Sequence, residues 1–335
     1  MKTETSTSEQ ASTSPNRLVP LGQSDLKVSP VGTGTWQWGG AFYWGYGRSY
    51  TDADLAGAYA ASLENGINWF DTAEIYGRGR SEKIIAKLGS KRNDLTPTPL
   101  IATKFFPYPW RWHRSSFRRA LTASLKRLNT ESIDLYQIHF PFRPRSFEYW
   151  VDALGDAAQD GLVKAVGVSN FSAEQTKRAH EMLARKGVVL ASNQVGYSLL
   201  NRAIESNGVK KVCDDLGISV ISYGPLAEGL LTGKYRIDNP PPLLRKWRWA
   251  RKRLKLLPPL ISLMSDISTA HGVSVTQVAL NWLIRKETLP IPGAKSAMQA
   301  ADNAAAMTWQ LANDEFEALN DATQQYLIGS RTRFI

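Results

Sequence analysis

The chain of 335 residues is long enough for one large core, and with 43% hydrophobic and 21% charged residues and a mean hydropathy of −0.30 its balance is that of a globular protein. No apolar run reaches the ~18 residues that a membrane-spanning helix needs, and a lone cysteine, Cys213, excludes an internal disulfide and a cysteine-based zinc site. The net charge of +11 raises nucleic acid or another anionic surface as a partner.

Residues 1–17, MKTETSTSEQASTSPNR, are rich in Ser and Thr and lack the apolar stretch of a secretory signal. Glu4 and Glu9 argue against an acid-poor transit peptide. A disordered tail is expected here, followed by a single domain over residues 18–335 in a reducing compartment, the cytoplasm.

From there short β-branched runs alternate with stretches of helical period. Strands are expected at Val28–Trp36, Gly66–Phe70, Leu100–Lys104, Ile133–His139, Val163–Val168, Val189–Gln194, Ile218–Tyr223 and Leu289–Pro292. Helices are expected at Thr51–Glu64, Arg114–Leu128, Phe147–Gln159, Ala173–Arg185 and Glu205–Leu216. Parallel neighbours need a long return connection, so the alternation predicts a parallel sheet with crossover helices. Eight such strands predict an α/β fold closed into a (β/α)8 TIM barrel. Arg17–Val28, with Gly22-Gln-Ser in its middle, predicts a β-hairpin capping the barrel bottom. Asn239-Pro-Pro-Pro242 breaks any regular element, so Arg236–Pro259 is expected to be a long insertion between barrel strands seven and eight.

Such barrels carry their sites at the C-terminal ends of the strands. The polar residues ending successive predicted strands are Asp71, Lys104, His139, Ser169 with Asn170, Gln194 and Tyr223, each about one βα unit from the last. Taken singly, Asp71 reads as well as a helix N-cap, Lys104 as a surface lysine and His139 as a satisfied core histidine. Tyr76, five residues after Asp71, reads equally as loop packing. Together they carry a chemistry. An ammonium beside a phenol favours the phenolate and lowers its pKa from about 10. Lys104 could supply that charge, Asp71 could hold Lys104, and His139 could donate to a carbonyl oxygen as charge develops there. None of the four can deliver a hydride, so a cofactor must. No metal site is expected.

These residues lie in segments that resemble the aldo-keto reductases: Gly66-Ile-Asn-Trp-Phe-Asp-Thr-Ala-Glu-Ile-Tyr-Gly77, Ile101-Ala-Thr-Lys104, Asp134-Leu-Tyr-Gln-Ile-His139 and Gly167-Val-Ser-Asn-Phe171. Asn193-Gln194, Ser222-Tyr-Gly-Pro-Leu226, Gly229-Leu-Leu-Thr-Gly-Lys234 and Pro290-Ile-Pro-Gly-Ala-Lys295 follow in order. The resemblance implies NADPH-dependent carbonyl reduction with Tyr76 as general acid, tuned by Lys104 and Asp71, and His139 as the orienting donor. It implies that Ser169, Asn170 and Gln194 hold the nicotinamide carboxamide and that Tyr223 stacks on the ring. Pro225, Leu226, Gly229 and Lys234 would surround the pyrophosphate, and Lys295, Ser296, Gln299 and Asn303 the adenosine end. The family binds its cofactor without the dinucleotide fingerprint G-x-G-x-x-G, and none occurs here. Members that prefer NADPH often carry arginine where this chain has Ser296 and Gln299, which leaves NADH open as an alternative donor. The same resemblance extends to NADPH-binding regulatory subunits of potassium channels, a rival reading.

Gly34-Thr-Trp-Gln-Trp-Gly39 with Phe42-Tyr-Trp-Gly-Tyr46 is similar to a plant and bacterial branch that includes pyridoxal reductases. Trp36, Trp38, Trp44, Phe105, Tyr108 and Trp110 are expected to line an aromatic pocket suited to flat aromatic or apolar aldehydes, pyridoxal-like ones among them. The positive charge gathers in two clusters, Arg111 to Arg119 and Arg245 to Lys255. No helix-turn-helix, zinc-finger or RRM signature accompanies them, so nucleic acid is disfavoured, and the second cluster is expected to steer an anionic cofactor. Substrate identity and oligomeric state have no signal in the sequence.

Overall fold

The protein is described here from a computed structural model covering residues 18–91, 98–142, 144–235, 239–240 and 251–327. Eight parallel strands form the centre: β3 (Thr33–Gly34), β4 (Trp69–Asp71), β5 (Leu100–Phe105), β6 (Ile133–Ile138), β7 (Val163–Ser169), β8 (Leu190–Gly196), β9 (Ser219–Tyr223) and β10 (Leu289–Pro290). They pair in chain order, each with the next. The first and last strands then close the ring, the amide of Gly32 donating to Pro290 O at 3.0 Å and that of Gly34 to Pro292 O at 2.9 Å. Gly34 has to be small for this closure, because a Cβ there would stand 2.7 Å from Ile291 O. The expected (β/α)8 barrel is what forms.

Side chains alternate across a strand, so residues two apart share the barrel interior. Trp69, Ala102, Leu135, Ala165, Ala191, Ile221 and Leu289 build one apolar layer there. Two residues further along their strands stand Asp71, Lys104, Gln137 and Tyr223, an upper layer of polar groups at the C-terminal end. Below, the hairpin of β1 (Val19–Pro20) and β2 (Lys27–Val28) inserts Leu21 into the apolar layer. Its turn needs glycine: Gly22 sits at φ +56° with its amide donating to Ser219 Oγ at 2.7 Å, and a Cβ would meet Ala191 O at 2.3 Å.

Helices Arg114–Leu128 and Phe147–Gln159 have the expected bounds, and Asp52–Glu64 and Ala173–Ala184 differ from expectation by one terminal residue. Three expectations change. Only Thr33–Gly34 of Val28–Trp36 joins the barrel, since Pro30 has no amide to donate. Glu205–Leu216 becomes two helices, Ala203–Ser206 and Val209–Asp215, because Gly208 takes φ +84° between them. The expected insertion also ends early. Arg251–His271 is a helix that runs through Pro258 and Pro259, since Leu257, Leu260, Met264 and Ile267 form a buried stripe whose packing outweighs the lost backbone bonds. Residues 1–17, most of the expected insertion and the side chains of the basic stretch up to residue 256 lie outside what is described.

Candidate active site

The upper polar layer opens into a cavity of about 980 Å³ at the C-terminal ends of the strands. At its floor the Lys104 ammonium lies 2.5 Å from Asp71 Oδ1 and donates to Thr72 O at 2.8 Å. Both side chains are shut off from solvent. Asp71 Oδ2 accepts from Gln194 Nε2 at 2.8 Å and, more distantly, from Gln137 Nε2 at 3.4 Å. The carboxylate is thus fixed from three strands, which a lone N-cap would not be.

Tyr76 comes over this pair because the chain leaving β4 turns back at once. The Tyr76 amide donates to Ala73 O, and Gly77, Arg78 and Gly79 follow with φ of 56°, 57° and 83°. The Lys104 Nζ sits 5.1 Å from the Tyr76 ring centre, and the Tyr76 and His139 rings lie 5.9 Å apart, edge to face. The four residues expected to converge do so on one side of the molecule.

Their electrostatics differ from expectation in one respect. Burial pushes the Tyr76 phenol well above its ordinary pKa, and the negative charge of Asp71 adds to that. Lys104 does not reverse this, because its charge is held against Asp71 and burial itself pulls the ammonium downward against Asp71's support. The phenol therefore keeps its proton at neutral pH. His139 is driven well below its ordinary pKa by burial and by the nearby Lys104 charge, so its ring is neutral. Its Nδ1 is buried without a hydrogen-bond partner. A protonated phenol, a neutral imidazole and a buried cation beneath them suit polarisation and protonation of one oxygen atom.

The residues expected at a cofactor line the same cavity, apart from Ser296. Asn170 Oδ1 accepts from the Tyr223 hydroxyl at 2.9 Å, and its Nδ2 donates to His139 O at 3.2 Å. Ser169 Oγ donates to Gln194 O at 2.8 Å. Across the cavity, Ser296 caps helix Ala297–Ala305 by accepting from the Gln299 amide, and Gln299 Oε1 accepts from the Lys295 amide at 2.9 Å. Lys295 Nζ donates to Trp44 O at 3.2 Å. Pro225, Leu226, Gly229, Lys234 and Asn303 complete that wall.

The aromatic pocket needs correction. Trp36 and Trp44 line the cavity, as expected. Trp38 does not: it is wholly buried against Phe70, its indole donating to Ala294 O at 2.8 Å. Phe105 packs outward against Phe117 and Trp150, because Lys104 takes the inward position and the next residue must face away. Trp110 is 69% exposed and stacks on Tyr108 at 4.6 Å, outside the cavity lining. Phe106, Phe140 and Phe142 take the places expected of them, with His139, Phe140 and Phe142 in a stack of 4.9 and 4.5 Å spacing. Gln137 and these phenylalanines were not foreseen.

The basic cluster after β5 is largely neutralised. Arg111 holds Glu74 in a bidentate pair at 2.5 and 2.9 Å, Arg114 pairs with Asp152 and Asp156, and Arg118 with Asp160. This side offers little to a polyanion.

Residues 30–324 match the model of the Aldo/keto reductase family. The chain belongs to that family. It is 41% identical over 314 residues to the chloroplastic pyridoxal reductase of Arabidopsis thaliana, covering 90% of this chain and 84% of the relative. It is 28% identical to the L-glyceraldehyde 3-phosphate reductase of Escherichia coli O157:H7, over 85% and 86% of the two chains. Among solved structures it superposes on the glycerol dehydrogenase AKR11B4 from Gluconobacter oxydans with a TM-score of 0.80 at 26% identity, covering 96% of this chain and 99% of that one. This aldo/keto reductase is therefore an oxidoreductase of carbonyl and alcohol groups. Among its described residues no helix is long and apolar enough to cross a membrane.

Proposed function

We propose that this aldo/keto reductase reduces aldehydes to alcohols with NADPH, Tyr76 giving the proton to the carbonyl oxygen. The observation that carries this is the placement of the Tyr76 phenol, its ring centre 5.1 Å from the Lys104 Nζ of the Lys104–Asp71 pair and its ring edge-on to His139. When bound, the nicotinamide supplies the hydride. His139, neutral and with a buried Nδ1 unpartnered, donates a hydrogen bond to the same oxygen and orients it. Lys104 offsets the negative charge that grows there, and Asp71 holds Lys104 in place.

The cavity suits a long anionic dinucleotide. Ser169, Asn170 and Gln194 would receive the carboxamide, with Gln194 Nε2 already engaged by Asp71 so that Oε1 is its remaining polar atom. Tyr223 would lie under the ring, and Pro225 to Lys234 would flank the pyrophosphate. The N-terminus of Ala297–Ala305 with Lys295, Ser296 and Gln299 would take the adenosine phosphate, where helix amides and a cation favour an anion. This is the basis for NADPH over NADH. The wall of Trp36, Tyr43, Trp44, Phe106, Phe140 and Phe142 favours flat aromatic aldehydes, pyridoxal-like ones included. The single buried cysteine, Cys213, suits a reducing compartment such as the cytoplasm, and the Arabidopsis relative is chloroplastic by name.

The test is Tyr76→Phe. Aldehyde-dependent NADPH oxidation should fall at least a hundredfold with NADPH binding retained in a fluorescence titration. A wild-type protein that binds NADPH but oxidises it with none of a panel of aromatic, aliphatic, sugar and pyridoxal-type aldehydes would favour the regulatory-subunit reading instead.

A further inference from the structure

Among the described residues four cationic side chains line the cavity, and three of them are occupied. Arg80 Nη1 donates to Gly39 O at 3.3 Å, Lys295 Nζ donates to Trp44 O, and Lys234 lies 4.9 Å over the Tyr235 ring. The fourth, Arg78, has no hydrogen bond, ion pair or ring contact for its guanidinium among the described residues. The nearby acids are already taken: Glu74 by Arg111 in a bidentate pair, Asp71 by Lys104. On the far wall, Glu228 accepts from the Tyr43 hydroxyl, and Asp302 from Gln277.

Arg78 also sits where a side chain is costly. Its φ of 57° and ψ of 48° are left-handed, between two glycines that take the same region for steric reasons. A Cβ on Gly77 would meet Gly39 O at 2.9 Å, and one on Gly79 would meet Arg127 Cδ at 2.6 Å. Glycine would be easier at residue 78 as well. The amide of Arg78, donating to Ile75 O at 3.1 Å, fixes this turn two residues after Tyr76. The chain thus accepts backbone strain to hold an unpaired guanidinium at the mouth of the site. Arg78 and Phe106 both line this cavity.

We propose that Arg78 is a specificity residue that receives a carboxylate or phosphate carried by the aldehyde, so that anionic aromatic aldehydes are preferred over neutral ones of the same shape. A planar guanidinium offers several donors to either oxyanion, and Arg78 lines the cavity while remaining exposed, so its donors are open to an incoming anion. The proposal rests on the reading of this cavity as an aldehyde site above Tyr76.

The test compares 4-carboxybenzaldehyde and 4-formylphenyl phosphate with the neutral methyl 4-formylbenzoate. In the wild type kcat/KM for the anions should exceed that for the ester about tenfold, mostly through KM. Arg78→Gln should bring the ratio to near one, Arg78→Lys should keep part of it, and added salt should shrink it. Benzoate binding, read by tryptophan fluorescence, needs no turnover and should weaken about tenfold in Arg78→Gln. A ratio and a benzoate affinity that survive the substitution overturn the proposal, and so does an equal loss for charged and neutral aldehydes, which would mark Arg78 as a turn residue. A wild type inert to all three aldehydes overturns the aldehyde-site reading, and the benzoate titration then decides Arg78 by itself.

Discussion

Lys104 and Asp71 form a buried ion pair at 2.5 Å, and the carboxylate oxygen that Lys104 leaves is held by Gln194. Removing one partner strands the other charge where water cannot reach it. Lys104→Met should therefore destabilise the fold by about 3–5 kcal/mol. The double variant Lys104→Met/Asp71→Asn should recover part of that loss while staying inactive, because the amide oxygen introduced by Asp71→Asn can still accept from Gln194. Urea unfolding of the three proteins measures this, and a double variant no more stable than the single one would show that the pair is not the source.

His139 sets a pH signature. Its folded pKa lies well below its ordinary 6.5, so the unfolded chain binds a proton that the folded one refuses. The stability this represents is fully present above about pH 6.5 and is lost as pH falls through the folded value. His139→Gln should flatten that acid loss in denaturation curves between pH 7 and 5. For activity, kcat/KM should show no histidine inflection near 6.5, since the imidazole is already neutral. An inflection there that disappears in His139→Gln would contradict the neutral-donor role.

The aromatic wall makes a separable prediction. Trp38→Ala should cost about 3–5 kcal/mol through the lost packing on Phe70 and an orphaned Ala294 carbonyl, with little change in aldehyde preference. Phe106→Ala, at the cavity, should raise KM for aromatic aldehydes more than for short aliphatic ones. Trp110→Ala, on the exposed rim, should change stability by less than about 0.5 kcal/mol. Thermal melts paired with KM values for benzaldehyde and propanal separate the three outcomes.

Which of these residues could be read without coordinates follows from strand parity. Asp71, Lys104 and Tyr223 were legible because each stands two places beyond an apolar residue on a recognisable strand, and period two puts both inside the barrel. The same count from Leu135 reaches Gln137, which was masked by His139, the last polar residue of the run. Parity also rules Phe105 out of the pocket once Lys104 is placed inside. Trp38 is different. It lies in a loop, where no period applies, and only the packing of Phe70 and Ala294 around it decides that it is core. The helix through Pro258 and Pro259 was equally hidden, since its stabilisation comes from a stripe contacting distant elements and not from local propensity.

Tyr43 and Glu228, both in the cavity lining and 185 residues apart in sequence, are joined by a 2.8 Å hydrogen bond from the phenol to the carboxylate. Both residues line the space proposed for the dinucleotide, and Tyr43 also stacks on Trp36 at 5.7 Å. A dinucleotide bound beneath this bridge would have to break it to leave. A hydrogen bond to a charged group is worth about 1.5–3 kcal/mol, so Tyr43→Phe, which keeps the ring, should speed NADPH dissociation about tenfold or more. Stopped-flow displacement of NADPH, followed by its own fluorescence, gives the off-rate directly. An off-rate equal to wild type, in a variant with unchanged melting temperature, would mean that the bridge opens too readily to retain the cofactor.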